Sequence, residues 1–261
     1  MRTHELILLH GQPGSGADWE QVQARLPAGI RSHALDRPGY GSSRQPGGGF
    51  TRNARAVLAA MDARGIPQAV LVGHSYGGGV ALAVADLAPH RVRALVLLAS
   101  VGPGCLNGAD RLLAAPVAGP LCALVAWRLT PWFARGWLAG LARVSALSGH
   151  GPVDPDQHVN WHVWGNSGSE HTPLWRTFLA EQRALVREAD GLATRPVRAP
   201  ALLLADPRDT LVPVVTARRL ARDMPDATLR LVEGPGHHLP RRAPGVVADA
   251  ITGFLASLDA R

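Results

Sequence analysis

Six short apolar runs, near residues 5–9, 32–36, 69–74, 94–99, 200–205 and 228–232, recur along the chain, and most are separated by stretches whose apolar positions have helical spacing. Runs this short and uniformly apolar are strands covered on both faces, so the rhythm predicts a mostly parallel sheet of roughly six strands flanked by helices. Between the second and third runs, Ala54, Val57, Leu58 and Met61 fall on one helical face, with Thr51 as the predicted N-cap and Gly65 as the stop. Val247, Ile251, Phe254 and Leu258 repeat the spacing in a closing helix.

The rhythm lapses over residues 103–195, a stretch rich in proline and tryptophan with no clear strand. It predicts a helical cap inserted into an α/β core made of residues 1–102 and 196–261. Six of the seven tryptophans lie there. Trp127, Trp132, Trp137, Trp161 and Trp164 are candidates both for holding this lobe together and for lining an apolar substrate pocket. Trp175, Phe178, Leu179, Leu185 and Val186 share one helical face and are expected to pack down onto the core. The most apolar part, around Leu112 to Trp127, is broken by Pro116 and Pro120, which argues against a membrane span.

Chemistry concentrates where the apolar runs end. The third run enters Gly73-His74-Ser75-Tyr76-Gly77, a Gly-x-Ser-x-Gly frame that turns a strand sharply into a helix and leaves the serine hydroxyl at the helix N-terminus. The first run enters His10-Gly11-Gln12-Pro13-Gly14, the fifth ends in Asp206-Pro207-Arg208-Asp209, and the sixth leads to Gly234-Pro235-Gly236-His237. This order of Ser, Asp and His, each after its own strand, resembles the α/β-hydrolase superfamily, in its serine-nucleophile branch with a helical cap. The resemblance implies the α/β-hydrolase fold. It also marks a departure, since the strand pair that usually precedes the His-Gly loop is missing here, leaving an edge that a partner subunit would cover in a homo-oligomer.

A serine hydroxyl attacks a carbonyl only if a base takes its proton, which makes Ser75 the expected nucleophile and His237 the expected base. Asp209 is the expected partner of His237. Asp206 competes for that role but reads better as a turn residue beside Pro207. The resemblance further implies an oxyanion hole from the backbone N–H groups of Gln12 and Tyr76, while the Gln12 amide either meets substrate or turns to solvent. His10, His74 and His238 read as loop-holding or packing residues, and Asp36-Arg37-Pro38-Gly39-Tyr40-Gly41-Ser42-Ser43 resembles a superfamily loop that shapes the wall of the site. His150, Asp154, Asp156, His158 and His162 suggest a metal site, but no glutamate follows His158 in an H-E-x-x-H frame, so no metal and no cofactor is expected.

Composition narrows the function classes. The formal net charge of +7 comes from 27 basic residues that are all arginine and lie scattered, without the basic and aromatic stripe of a nucleic-acid binder. Cys105 and Cys122 are too few for a disulfide framework or a cysteine metal site and are expected to be reduced. The amino terminus carries no apolar leader pattern, which predicts a cytoplasmic protein. The expected activity is cleavage of a carboxylic ester or related acyl bond of a small, apolar substrate. Alternatives are a cofactor-free perhydrolase or haloperoxidase, suggested by Trp19 after the His-Gly-x-Pro loop, an aminopeptidase of the proline iminopeptidase type, and a non-catalytic ligand-binding member of the fold.

Overall fold

A computed structural model describes residues 4–122, 174–193 and 197–261. Strands β1 (His4–Leu9), β2 (Ile30–Leu35), β3 (Ala69–His74), β4 (Val92–Leu98), β5 (Ala201–Ala205) and β6 (Ala227–Leu231) form one sheet in the order β2-β1-β3-β4-β5-β6. Every adjacent pair is parallel. Strand ends differ from the apolar runs by up to two residues, because ladder hydrogen bonds extend to polar or half-buried positions such as Ile30 and Arg31. The longer helices among the described residues are α1 (Phe50–Asp62), α2 (Tyr76–Leu87), α3 (Gly108–Ala114), α4 (Leu174–Glu188), α5 (Val214–Asp223) and α6 (Pro244–Asp259). None of them is long and apolar enough to cross a membrane.

Alternation along the strands builds two cores. Ile7, Leu9, Leu71, Leu95, Leu97 and Leu203 meet Phe50, Val57 and Met61 of α1, Val80 of α2 and Leu220 of α5 on one face. Leu6, Leu8, Val70, Val72, Val96 and Leu204 meet Trp19, Val22 and the Val247, Ile251 and Leu255 stripe of α6 on the other. Tyr76, the three glycines 77–79, Val80, Ala81, Leu82, Val84 and Ala85 of α2 are all buried, as expected of a helix enclosed on nearly every side.

Two local expectations need correction. α1 begins at Phe50 with Gly49 as its N-cap, so Thr51 lies inside the first turn; Phe50 is buried and stacked on Tyr76 at 4.4 Å, and this contact sets the start. Gly65 does end the helix, at φ 63°, with the Ile66 N–H on Met61 O and its own N–H on Asp62 O. On α4 the buried stripe runs through Thr177, Glu181, Ala184 and Leu185, with Leu179 beside it, whereas Phe178 and Val186 are only half-buried. Glu181 faces inward because it meets Arg37 there.

The chain runs from β1 outward to β2, then returns to β3 and proceeds the other way. The order therefore reverses between β1 and β3, and their carboxyl ends flank the crevice where open α/β sheets bind ligands. Backbones approach closely at that point. A Cβ on Gly77 would lie 2.3 Å from Leu9 O, and one on Gly73 would lie 2.4 Å from Gly77 O. Ser75 between them is held at φ 54°, ψ −120°, with its N–H on Leu98 O at 2.9 Å.

Gly73→Ala is expected to destabilise the protein by about 1–3 kcal/mol or more, because its new methyl meets backbone that cannot yield. Gly253→Ala in α6, where an added Cβ meets nothing within 4 Å, is expected to stabilise by about 0.5–1 kcal/mol. Urea denaturation midpoints at constant m-value measure both.

Candidate active site

Three strand ends deliver three side chains to one point. Ser75 follows β3, Asp209 lies in the loop after β5, and His237 lies in the loop after β6. His237 Nε2 is 2.9 Å from Ser75 Oγ, and His237 Nδ1 is 2.8 Å from Asp209 Oδ2. The other oxygen of Asp209 accepts the N–H groups of Leu211 at 2.8 Å and Val212 at 2.9 Å, so the carboxylate is fixed by backbone and has one oxygen free for the imidazole. Asp209 and Ser75 are buried. In this arrangement a proton on Ser75 Oγ has a direct path to an imidazole whose orientation and tautomer are set by a carboxylate.

The loop carrying His237 is held from two sides. Asp206 Oδ2 accepts the N–H of Gly234 at 2.9 Å and of Gly236 at 2.6 Å, while Oδ1 accepts that of Arg208 at 2.8 Å. Burial raises the Asp206 pKa, but these backbone donors outweigh it and leave the carboxyl below its usual range. Asp206 is thus more than a turn residue: it anchors the turn that presents His237. From the other side, His74 Nε2 lies 2.7 Å from His237 O, which fixes that nitrogen as the donor. Burial, then the proximity of His237 and His238, push His74 down to about 3, so it stays neutral at ordinary pH. Burial, then the proximity of His237 and Arg241, bring His238 down to about 4; its ring stands edge-on to His237 at 5.5 Å.

The His10-Gly11-Gln12 loop passes directly beside the elbow, with the Gly11 Cβ direction 3.2 Å from Ser75 Cβ. A methyl at that position would press on His74 and Ser75. Tyr76 opens α2, and the first N–H groups of a helix have no carbonyl four residues earlier to bond. Of the backbone positions expected to donate to an oxyanion, Tyr76 directly follows the serine and Gln12 follows Gly11, which packs against it. The Gln12 amide nitrogen has a partner that the sequence did not suggest. Nε2 donates to Phe178 O at 2.8 Å and ties the loop to α4.

A buried ion pair escaped the sequence reading. Arg37, 1% exposed, pairs with Glu181, 0% exposed, through both carboxylate oxygens. Glu181 also accepts Tyr40 O–H at 2.7 Å. Burial pushes the Glu181 carboxyl up, while Arg37, Tyr40 and Asn53 draw it back down. The partners are 144 positions apart, and the only local signal was a glutamate on an otherwise inward-facing helical stripe. Asp36 beside it accepts the N–H groups of Gly16 and Ser42 at 2.8 Å and so braces the wall of the site.

Trp127, Trp132, Trp137, Trp161 and Trp164, and the His150 to His162 group, lie outside the described residues, as does the side chain of Trp175. Among the described residues, no three or more His, Cys, Asp or Glu side chains gather as a metal site would require. Cys105 and Cys122 are free thiols, and burial pushes that of Cys105 up to about 11.

Comparison with known proteins gives a consistent picture. Residues 6–250 match the model of the alpha/beta hydrolase family. A 2-hydroxymuconate semialdehyde hydrolase from Pseudomonas sp. (strain CF600) is 29% identical over 98% of this chain and 88% of its own. A pimeloyl-[acyl-carrier protein] methyl ester esterase from Aromatoleum aromaticum is 29% identical over 91% of this chain and 92% of its own. The solved structure of a thermophilic esterase from Thermogutta terrifontis superposes with a TM-score of 0.75 over 98% of this chain and 90% of its own, at 21% identity.

The depressed pKa of His74 makes stability depend on pH. Its folded value is about 3 against an ordinary 6.5, so the unfolded chain binds the extra proton between those values, and stability falls as pH drops through that window. His238 acts in the same direction. His74→Gln is expected to reduce the slope of unfolding free energy against pH by up to about 1.4 kcal/mol per pH unit, as measured by urea titrations between neutrality and mild acid.

Proposed function

Because the chain belongs to the alpha/beta hydrolase family and is an enzyme of that hydrolytic type, we propose that it is a serine hydrolase cleaving a carboxylic ester or related acyl bond of a small, apolar substrate. The observation that carries this reading is the continuous hydrogen-bonded line from Ser75 Oγ through both nitrogens of His237 to Asp209. In the first half-reaction Ser75 Oγ bonds to the substrate carbonyl carbon as its proton passes to His237 Nε2. The carbonyl oxygen becomes an oxyanion that accepts from the N–H groups of Gln12 and Tyr76. Collapse expels the alcohol, which takes the proton from His237, and leaves an acyl ester on Ser75. In the second half, water gives a proton to His237 and its oxygen to the acyl carbon; the acid leaves, and the proton returns to Ser75.

Asp209 keeps the imidazole oriented and stabilises its charged form in both halves. A serine at the elbow favours acyl chemistry over displacement at saturated carbon, for which a carboxylate nucleophile is suited. The methyl ester esterase among the relatives supports an ester substrate. Residues 103–195 would form the lid over this site, with α3 and α4 as its two attachments and Trp127, Trp132, Trp137, Trp161 and Trp164 as candidates for its apolar lining.

Turnover of p-nitrophenyl esters of short and medium acyl chains is expected for the wild type and is expected to vanish in Ser75→Ala; activity within a few-fold of wild type in that variant removes the serine from the mechanism. Asp209→Asn is expected to lower kcat by about 10² to 10⁴. Asp206→Asn is expected to act mainly on stability and to cost kcat much less, and the reverse ranking overturns the assignment of the acid.

A further inference from the structure

Arg37 bonds the peptide that carries one expected oxyanion donor and lies against the ring of the residue that carries the other. Its Nη2 donates to Gly11 O at 2.8 Å and its Nε to His10 O at 2.9 Å. Nη1 serves Asn53 Oδ1 at 3.1 Å and Glu181, and Nη2 also serves Glu181, so all five guanidinium N–H groups have acceptors. The guanidinium carbon lies 4.8 Å from the ring centre of Tyr76 and 4.9 Å from that of Tyr40. A positive charge this deep is costly unless paired, and Glu181 of α4 supplies the pair.

Gly11 C=O and Gln12 N–H belong to one planar peptide, so a donor on the carbonyl fixes the direction of the N–H and polarises it. The opposite side of that residue is fixed from the same helix, through the Gln12 Nε2 bond to Phe178 O. Gly39 and Gly47 approach the same helix so closely that a Cβ on either would lie less than 3 Å from Thr177. We infer that Arg37, paired with Glu181, is a positioning residue that aims and polarises the Gln12 N–H of the oxyanion hole, and that α4 thereby couples the inserted segment to the reaction. This inference rests on the serine-hydrolase reading above and assigns a role to two residues outside its triad.

A lysine has at most three donors and no planar fork, so it does not replace the five contacts of Arg37. In Arg37→Ala, kcat for an ester that the wild type hydrolyses is expected to fall about 10²-fold, with KM changing less than about threefold. Phenylboronic acid, which forms a tetrahedral adduct with the serine oxygen, is expected to lose affinity by about the same factor as kcat/KM, whereas the product carboxylate is expected to bind as before. Millimolar guanidinium is expected to restore part of the lost kcat in Arg37→Ala. Glu181→Gln, which keeps the shape but removes the paired charge, is expected to show the same pattern more weakly. Should Arg37→Ala fail to accumulate as folded protein, Arg37→Lys is read for kcat and boronate affinity. A folded Arg37 variant whose kcat and boronate affinity stay within about threefold of wild type overturns the inference and leaves the triad untouched. A wild type without ester turnover, equal to Ser75→Ala, overturns the underlying reading instead.

Discussion

The contact between the first turn of α2 and the end of β1 sets the geometry of everything around it. With no side chain at Gly77, the helix backbone comes to rest against the carbonyls of Leu9 and His10, and Gly73 lets the strand pass equally close to that helix. Such contact lets two parallel strands end within reach of one serine. It also accounts for Ser75 at positive φ: the turn is too short for an unstrained path, and the burial of nearly the whole of α2 holds it in place.

Around that fixed point the remaining groups are held by hydrogen bonds to backbone. Asp206 grips two peptide N–H groups before His237, His74 grips the carbonyl of His237 itself, and Asp209 is gripped by two N–H groups after it. Such bonds restrict the loops more tightly than side-chain packing alone, because each fixes a peptide plane. The neutral state of His74 and His238 belongs to the same arrangement: two further positive charges beside His237 would oppose the charged imidazolium that the proposed function requires.

The strands, the two-sided burial of β1, β3, β4 and β5 and the convergence of residues 75, 209 and 237 were legible because each is written in local patterns: apolar runs, glycine frames and a residue just beyond a strand; the edge strands β2 and β6 are only half-covered, since each has a neighbour on one side alone. The start of α1 was misread because Phe50 obeys a tertiary stacking contact with Tyr76, which outweighs the capping preference of Thr51. The inward face of α4 was misread for a related reason. Periodicity assigns a helix's buried stripe to its apolar residues, but Glu181 is drawn inside by Arg37, and no local rule connects positions 144 apart. The Gln12 amide nitrogen followed the same logic, finding a helix carbonyl on α4 that no local pattern marks.

One consequence of the β5 terminus reaches beyond the alignment of single atoms. Asp206 and Asp209 lie within one short turn, the first bracing the histidine loop and the second bracing the ring. A slip or twist of β5 relative to its neighbours would therefore carry the imidazole along as part of one mechanical body. Misalignment is then confined to a single joint, the seam between that body and the serine, and His74 is the rivet across it.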